Sequence, residues 1–222
     1  MQTFATPAPI SAVLNIPAGR VRFIAADRAD ATVEILPADA AKTRDVTAAQ
    51  HTTVEYGDGV LRITGTIPAK NRILGNAGVV EITVQLPAGS HLQAKTATAE
   101  LRGVGRLGDV TYDSAHGTVK LDETAGLHLT IAAGDVHVGR LGGPAQISTQ
   151  QGDITITEAT DGAVELSTQA GDITIGAAPG VSASLNAGTG YGRIDNALRN
   201  TGTPGLTIHA TAAYGDITAR SL

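Results

Sequence analysis

The chain has no cysteine and no tryptophan, and its 222 residues include one methionine, four tyrosines and two phenylalanines. Without Cys there is no disulfide, no thiolate nucleophile and no Cys-ligated zinc, a pattern that fits a reducing compartment. Aromatics at 3% leave little for a large aromatic binding platform. Charge is sparse too: 17% of residues are Asp, Glu, Lys or Arg, and the net charge is −5 with no basic block, which speaks against nucleic acid and anionic membrane as partners. No run approaches the ~20 apolar residues of a spanning helix. The first positive charge is Arg20, with no apolar leader-like segment before it. The expectation is a cytoplasmic protein without direct membrane insertion, reaching a surface only through a partner.

Glycine, by contrast, is plentiful at 27 residues, and 42% of the chain is hydrophobic, enough to bury a core. Much of the glycine sits in a repeat. Ala133-Gly-Asp-Val-His-Val138, Gln151-Gly-Asp-Ile-Thr-Ile156, Ala170-Gly-Asp-Ile-Thr-Ile175 and Tyr214-Gly-Asp-Ile-Thr-Ala219 are copies of one motif. His116-Gly-Thr-Val-Lys-Leu121 and Tyr191-Gly-Arg-Ile-Asp-Asn196 are weaker copies, and Thr98-Ala-Glu-Leu-Arg102 is an eroded one. From Ala99 through Gly117, Gly134, Gly152, Gly171 and Gly192 to Gly215 the spacings are 18, 17, 18, 19, 21 and 23. The two longest read as insertions, around Gly188-Thr-Gly190 and Asn200-Thr-Gly-Thr-Pro204.

Each repeat carries two strand signals of period two. Before the Gly-Asp, alternate positions read Leu127/Leu129/Ile131 or Val164/Leu166/Thr168; after it they read Val136/Val138, Ile154/Ile156 and Ile173/Ile175. A unit of ~18 residues cannot close its own core, but stacked ~4.8 Å from identical neighbours each apolar column seals against its copy. The fold class expected is all-β: a β-solenoid of stacked coils, with Gly117, Gly134, Gly152, Gly171, Gly192 and Gly215 as the structural turns. Small aliphatic and Thr side chains suit its narrow interior.

Residues 1–89 are β-rich but irregular, with strand signals near 10–16, 20–26, 31–36, 52–56, 60–66 and 78–86, and a short helix or a loop over Asp39 to Gln50. Leu14-Asn-Ile-Pro-Ala-Gly19 and Val84-Gln-Leu-Pro-Ala-Gly89 are internal copies, each reading as a strand ended by a turn. This region is expected to form opening coils or a cap of the same domain, with the regular repeats spanning 90–222.

Pro87-Ala-Gly-Ser90 leading into iterated Gly-Asp-Ile/Val-x-Ile/Val resembles the bacterial β-strand-repeat family of candidate adhesins of unknown function, the Toastrack group. Phe4-Ala-Thr-Pro-Ala-Pro-Ile10 and Leu14-Asn-Ile-Pro-Ala-Gly-Arg-Val-Arg-Phe23 are similar to its usual N-terminus. The resemblance covers nearly the whole chain and implies a β-solenoid-like domain with no agreed catalytic residues. Relatives are often tethered to membrane segments.

Three consecutive carboxylates in register, Asp135, Asp153 and Asp172, form a weak candidate ladder for Ca²⁺, which collects oxygen ligands. The alternative is structural: the carboxylates bond backbone N–H groups at the corners, relieved by Arg193 at the end of the run. His51, His91, His116, His128, His137 and His209 are dispersed, with no metal-binding spacing. Gly188-Thr-Gly-Tyr-Gly192 looks like a phosphate loop but opens no helix, and reads as a corner within an insertion. Paired carboxylates such as Asp153 with Asp172 or Glu165 occupy repeated, equivalent positions, whereas acid–base catalysis needs two different environments. No catalytic residue and no cofactor are therefore assigned.

The function expected is a non-enzymatic binding or scaffold protein, adhesin-like, with a protein partner or self-association; a carbohydrate-binding or polysaccharide-degrading β-helix protein is the alternative. The final coil, Leu206 to Leu222, is expected to expose an uncapped edge carrying Ile208, Ile217 and Leu222, which would pair with another subunit.

Overall fold

The computed structural model describes residues 1–66 and 78–222. Strand makes up 71% of the chain and helix 4%, so the protein is all-β. The elements are β1 (Gln2–Ala5), β2 (Ser11–Ala26), β3 (Asp30–Pro37), α1 (Thr43–Gln50), β4 (Thr52–Gly57), β5 (Val60–Gly65), β6 (Val80–Pro87), β7 (His91–His116), β8 (Val119–Ala133) and β9 (Val136–Leu141). They continue as β10 (Ala145–Gln151), β11 (Ile154–Ala159), β12 (Gly162–Ala170), β13 (Ile173–Ala177), β14 (Ala183–Tyr191), β15 (Ile194–Ala197), β16 (Leu206–Tyr214) and β17 (Ile217–Ser221).

Alternating aliphatic and polar residues make each segment a strand with one buried face, and parallel pairing stacks these faces into columns. β2 lies along β7 from Ser11↔His91 to Ala25↔Gly105. β7 pairs with β8, β8 with β10 and β9 with β11, aligning Val110 with Leu127, Leu127 with Ala145 and Val136 with Ile154. The next layer is β12–β13, where Ile147 meets Leu166 and Ile154 meets Ile173. This is the β-solenoid-like stacking anticipated from the repeat. Val119, Val136, Ile154, Ile173 and Ile217 are each 0% exposed. Full burial of an aliphatic side chain is worth about 1.5–3 kcal/mol, so the columns dominate the stability of the stack.

The last two coils depart from chain order. β12 pairs with β16, and β13 with β17, so Val164 meets Ile208 and Ile173 meets Ile217. β14 and β15 lie on the far side of β16 and β17, with Leu185 on Ile208 and Ile194 on Ile217. The C-terminal coil is thus inserted between β12–β13 and β14–β15. Connector length records this: residues 142–144 join β9 to β10 and 160–161 join β11 to β12, whereas 178–182 join β13 to β14 and 198–205 join β15 to β16. An extended residue spans about 3.3–3.6 Å, so the longer connector has the reach to skip one layer of ~4.8 Å. The long spacings in the repeat reflect the skipped layer and the return to it.

At the other end β5 and β6 share the far side of β2, with Leu14 beside Ile63 and Val21 beside Ile82. Antiparallel strands finish this end: β4 on β5, β3 on β6, and β1 on β3. The segment read as a helix or a loop is helical over Thr43–Gln50. The helix is anchored by buried Asp45, whose Oδ1 accepts the Val79 N–H at 3.0 Å. Phe4 of β1 packs on Tyr56 of β4 with ring centroids 5.3 Å apart. β1 carries no strand signal of its own; its pairing with β3 creates it.

The first Pro-Ala-Gly corrects the sequence reading. Pro17-Ala18-Gly19 lies inside continuous β2, with Gly19 opposite Ala99 in the corner column. Only the second copy is a turn, with Gly89 at φ +80°. Gly188–Tyr191 likewise is strand, within β14, rather than part of an inserted corner. No helix among the described residues is long and apolar enough to cross a membrane.

Candidate functional site

The Gly-Asp corners form one straight ladder whose order follows the stack. A Cβ built on Gly134 would lie 2.0 Å from the Gly117 carbonyl oxygen, one on Gly215 1.9 Å from that of Gly171, and one on Gly192 2.0 Å from that of Gly215. Each backbone crosses so close to the coil beneath that only glycine fits, at φ between +135° and +156° for the six corner glycines.

The Asp that follows each Gly bonds to the next coil. Asp135 Oδ1 accepts the Asp153 N–H at 3.0 Å, Asp153 Oδ1 that of Asp172 at 2.8 Å, and Asp172 Oδ1 that of Asp216 at 2.8 Å. Asp216 Oδ1 accepts the Arg193 N–H at 2.8 Å, and the Arg193 guanidinium lies 3.0 Å from Oδ2. Arg193 therefore ends the run as the sequence suggests, but Asp216 stands between it and Asp172. The Arg193 backbone N–H, and then its side chain, hold the Asp216 carboxyl below its ordinary range against a smaller desolvation effect.

For the Ca²⁺ candidates Asp135, Asp153 and Asp172 this geometry spends one oxygen of each on a backbone donor. The remaining oxygens stand in single file along the strand-spacing direction, whereas Ca²⁺ takes six to eight converging oxygens. Among the described residues no group of three or more His, Asp or Glu side chains converges to hold a metal. Asp153 and Asp172 share one environment, and Glu165 receives only a long contact of 3.5 Å from Gln146 Nε2. No pair of carboxylates with opposed surroundings emerges from these three.

The side faces carry in-register columns of polar residues. Arg22, Arg102, Lys120 and His137 follow one another on successive layers, and the column continues through Thr155, Thr174 and Thr218. The eroded copy Thr98–Arg102, aligned through Ala99 and Gly117, already sets Arg102 level with Lys120; Arg22 carries no such signal, because β2 lacks the Gly-Asp motif that sets register. Arg20 beside this column reaches Glu81 at 2.9 Å and Glu100 at 3.7 Å, and Arg102 reaches Asp122 at 2.7 Å.

The expected interaction edge is misplaced. Ile208 and Ile217 are 0% exposed, in strands paired on both sides. Leu222 is 43% exposed, but its N–H is bonded to Ala177 O. The bare coil is β14–β15: Ile194, the counterpart of buried Ile217, is 46% exposed, and Leu185 and Ala187 are only half-buried. Tyr191 stacks on Tyr214 with centroids 5.1 Å apart and planes 2° from parallel, and both rings are exposed.

The chain is similar to a candidate cell adhesion protein from Clostridium sporogenes at 10% identity and TM-score 0.40, covering 100% of this chain and 98% of that one. It is similar to a candidate adhesin from Bacteroides fragilis at 14% identity and TM-score 0.49, and to a candidate lipid-binding protein from Parabacteroides distasonis at 14% and 0.48. Each of these two covers 98% of this chain and 95% of its own. No curated protein matches the sequence. The Toastrack DUF4097 family matches residues 13–221, corner ladder and both terminal coils included, and the chain belongs to that family.

Proposed function

We propose that the protein is a non-enzymatic binding and scaffold module that presents its flat side faces to an extended partner. The in-register column from Arg22 to Thr218 carries this reading. It offers regularly spaced, near-equivalent polar groups to a partner that is itself extended, whereas a catalytic site concentrates unlike groups in one concave place. Within the column the basic stretch Arg22, Arg102 and Lys120 lies between Thr83 and Glu34 on one side and the threonines and Asp195 on the other, so the partner inferred is a protein surface that sets acidic groups against that stretch.

Partner capture from the native host followed by cross-linking mass spectrometry tests the reading. Cross-links from Lys120, and at least tenfold weaker capture by the double variant Arg22→Glu/Lys120→Glu, are expected. A polysaccharide panel with reducing-end detection and neutral and anionic lipid vesicles belong in the same experiment. Release of reducing ends, or vesicle binding untouched by the double variant, would overturn the proposal.

A further inference from the structure

We infer that the β14–β15 end is the contact face of a closed, two-fold dimer of this chain. β14 is a nine-residue edge strand with no charged residue and no proline. Monomeric β proteins protect such edges with Lys, Pro, bulges or a covering helix. Here none of these is present on the strand; the connector 198–205 covers only its start, where the Ala183 N–H bonds Arg199 O, and beyond it the coil stays open, with Ile194 46% exposed where its neighbour in the column, Ile217, is 0% exposed.

The occupant is a second copy in the inverted sense. Along the ladder the corner N–H groups of Asp153, Asp172, Asp216 and Arg193 each go to a carboxylate of the coil beneath, and Arg193 offers none to a further coil stacked head to tail. Among the described residues the opposite end is finished by α1 and antiparallel β3 and β4 rather than by a bent parallel coil. The two described ends are therefore unlike, and a two-fold contact is favoured over a filament. A two-fold axis through β15 sets this edge of one copy against the same edge of the other. Antiparallel pairing of β15 with its copy, centred on Ile194, sets Ile194 against Ile194. It also sets Arg193 of one copy beside Asp195 of the other, twice, because directly opposed residues share a face. The edge is complementary to itself in charge as well as in apolar surface.

This inference does not depend on what the side faces bind. Light scattering after size exclusion, from 1 to 200 µM, is expected to show a dimer that Ile194→Lys converts to monomer. The circular dichroism of that variant should match that of the parent, and its melting temperature should stay close to that of the parent diluted until it is monomeric, since Ile194 is already half-exposed. The natural absence of Cys permits a second measurement. Ile194→Cys should form disulfide-linked dimers on mild oxidation, while Thr53→Cys on β4, at the finished end, should not. A monomer at 200 µM, a dimer indifferent to Ile194→Lys, or cross-linking through Thr53→Cys in place of Ile194→Cys would overturn the inference.

Discussion

Asp172 accepts the backbone N–H of Asp216 at 2.8 Å, across 44 residues of sequence and one layer of the stack. That bond marks the place where the chain leaves its own order, and it makes the C-terminal coil an interior coil.

Chain order and stack order make opposite forecasts for two aliphatic residues. Ile208 lies between Val164 and Leu185, whereas Leu185 has a partner on one side only. Ile208→Ala should therefore cost about 2–5 kcal/mol as a buried truncation, and Leu185→Ala about half as much or less. Urea denaturation of both variants measures this. Amide exchange should agree, with β16–β17 amides slower than those of β14–β15; the reverse ranking would restore chain order.

Ile154→Asp or Ile173→Asp places an unpaired charge in a fully buried column, where even an uncharged polar group costs several kcal/mol without a partner. Loss of the cooperative thermal transition is expected. Thr155→Asp, between His137 and Thr174 on the outer face, should change stability by less than about 1 kcal/mol. Equal tolerance at both positions would show the inside and outside assignment to be wrong.

Gly171→Ala should destabilise by at least about 1–3 kcal/mol, the cost of a strained backbone. Its Cβ would sit 2.1 Å from Gly152 O at φ +148°. Gly57→Ala, where a Cβ meets nothing within 4 Å, should be nearly silent. Chemical denaturation of the pair separates a close backbone approach from a general intolerance of alanine.

The Arg193 contacts lower the folded-state pKa of Asp216 below the ordinary 3.8. A depressed carboxyl pKa contributes stability above the unfolded value and loses it as pH falls through the folded one. Arg193→Ala removes only the guanidinium's part and keeps the backbone N–H, so it should lower the melting temperature slightly at pH 7, with the gap closing on acidification from about pH 4 downward. Because the carboxylate is solvent-facing, salt should narrow the gap as well. A gap that widens with acid would reverse the assigned sign.

Calcium at millimolar concentration should leave the melting temperature unchanged, since each ladder carboxylate already accepts a backbone N–H. A Ca²⁺-dependent rise abolished by Asp153→Asn would reinstate the metal site.

Much of this molecule was legible in local chemistry. The Gly-Asp corners announce themselves because a close backbone crossing admits only glycine. The alternation of Ile154, Thr155 and Ile156 states which face is buried, since a strand's period is two. The Asp run and its basic terminus could be read in the same way. β1 and the place of Arg22 in the side column were not legible, because they exist through pairing with distant strands rather than through a local pattern.

The order of the last two coils lay beyond sequence for a different reason. Coils built from one repeat are close to interchangeable as stacking partners, so composition cannot rank them. Only connector reach, the packing of Ile208 between Val164 and Leu185, and the pairing of Arg193 with Asp216 decide which coil lies inside and which is left bare. The sequence by itself determined what each layer is made of; tertiary structure decided which layer is last, and so where a neighbour can bind.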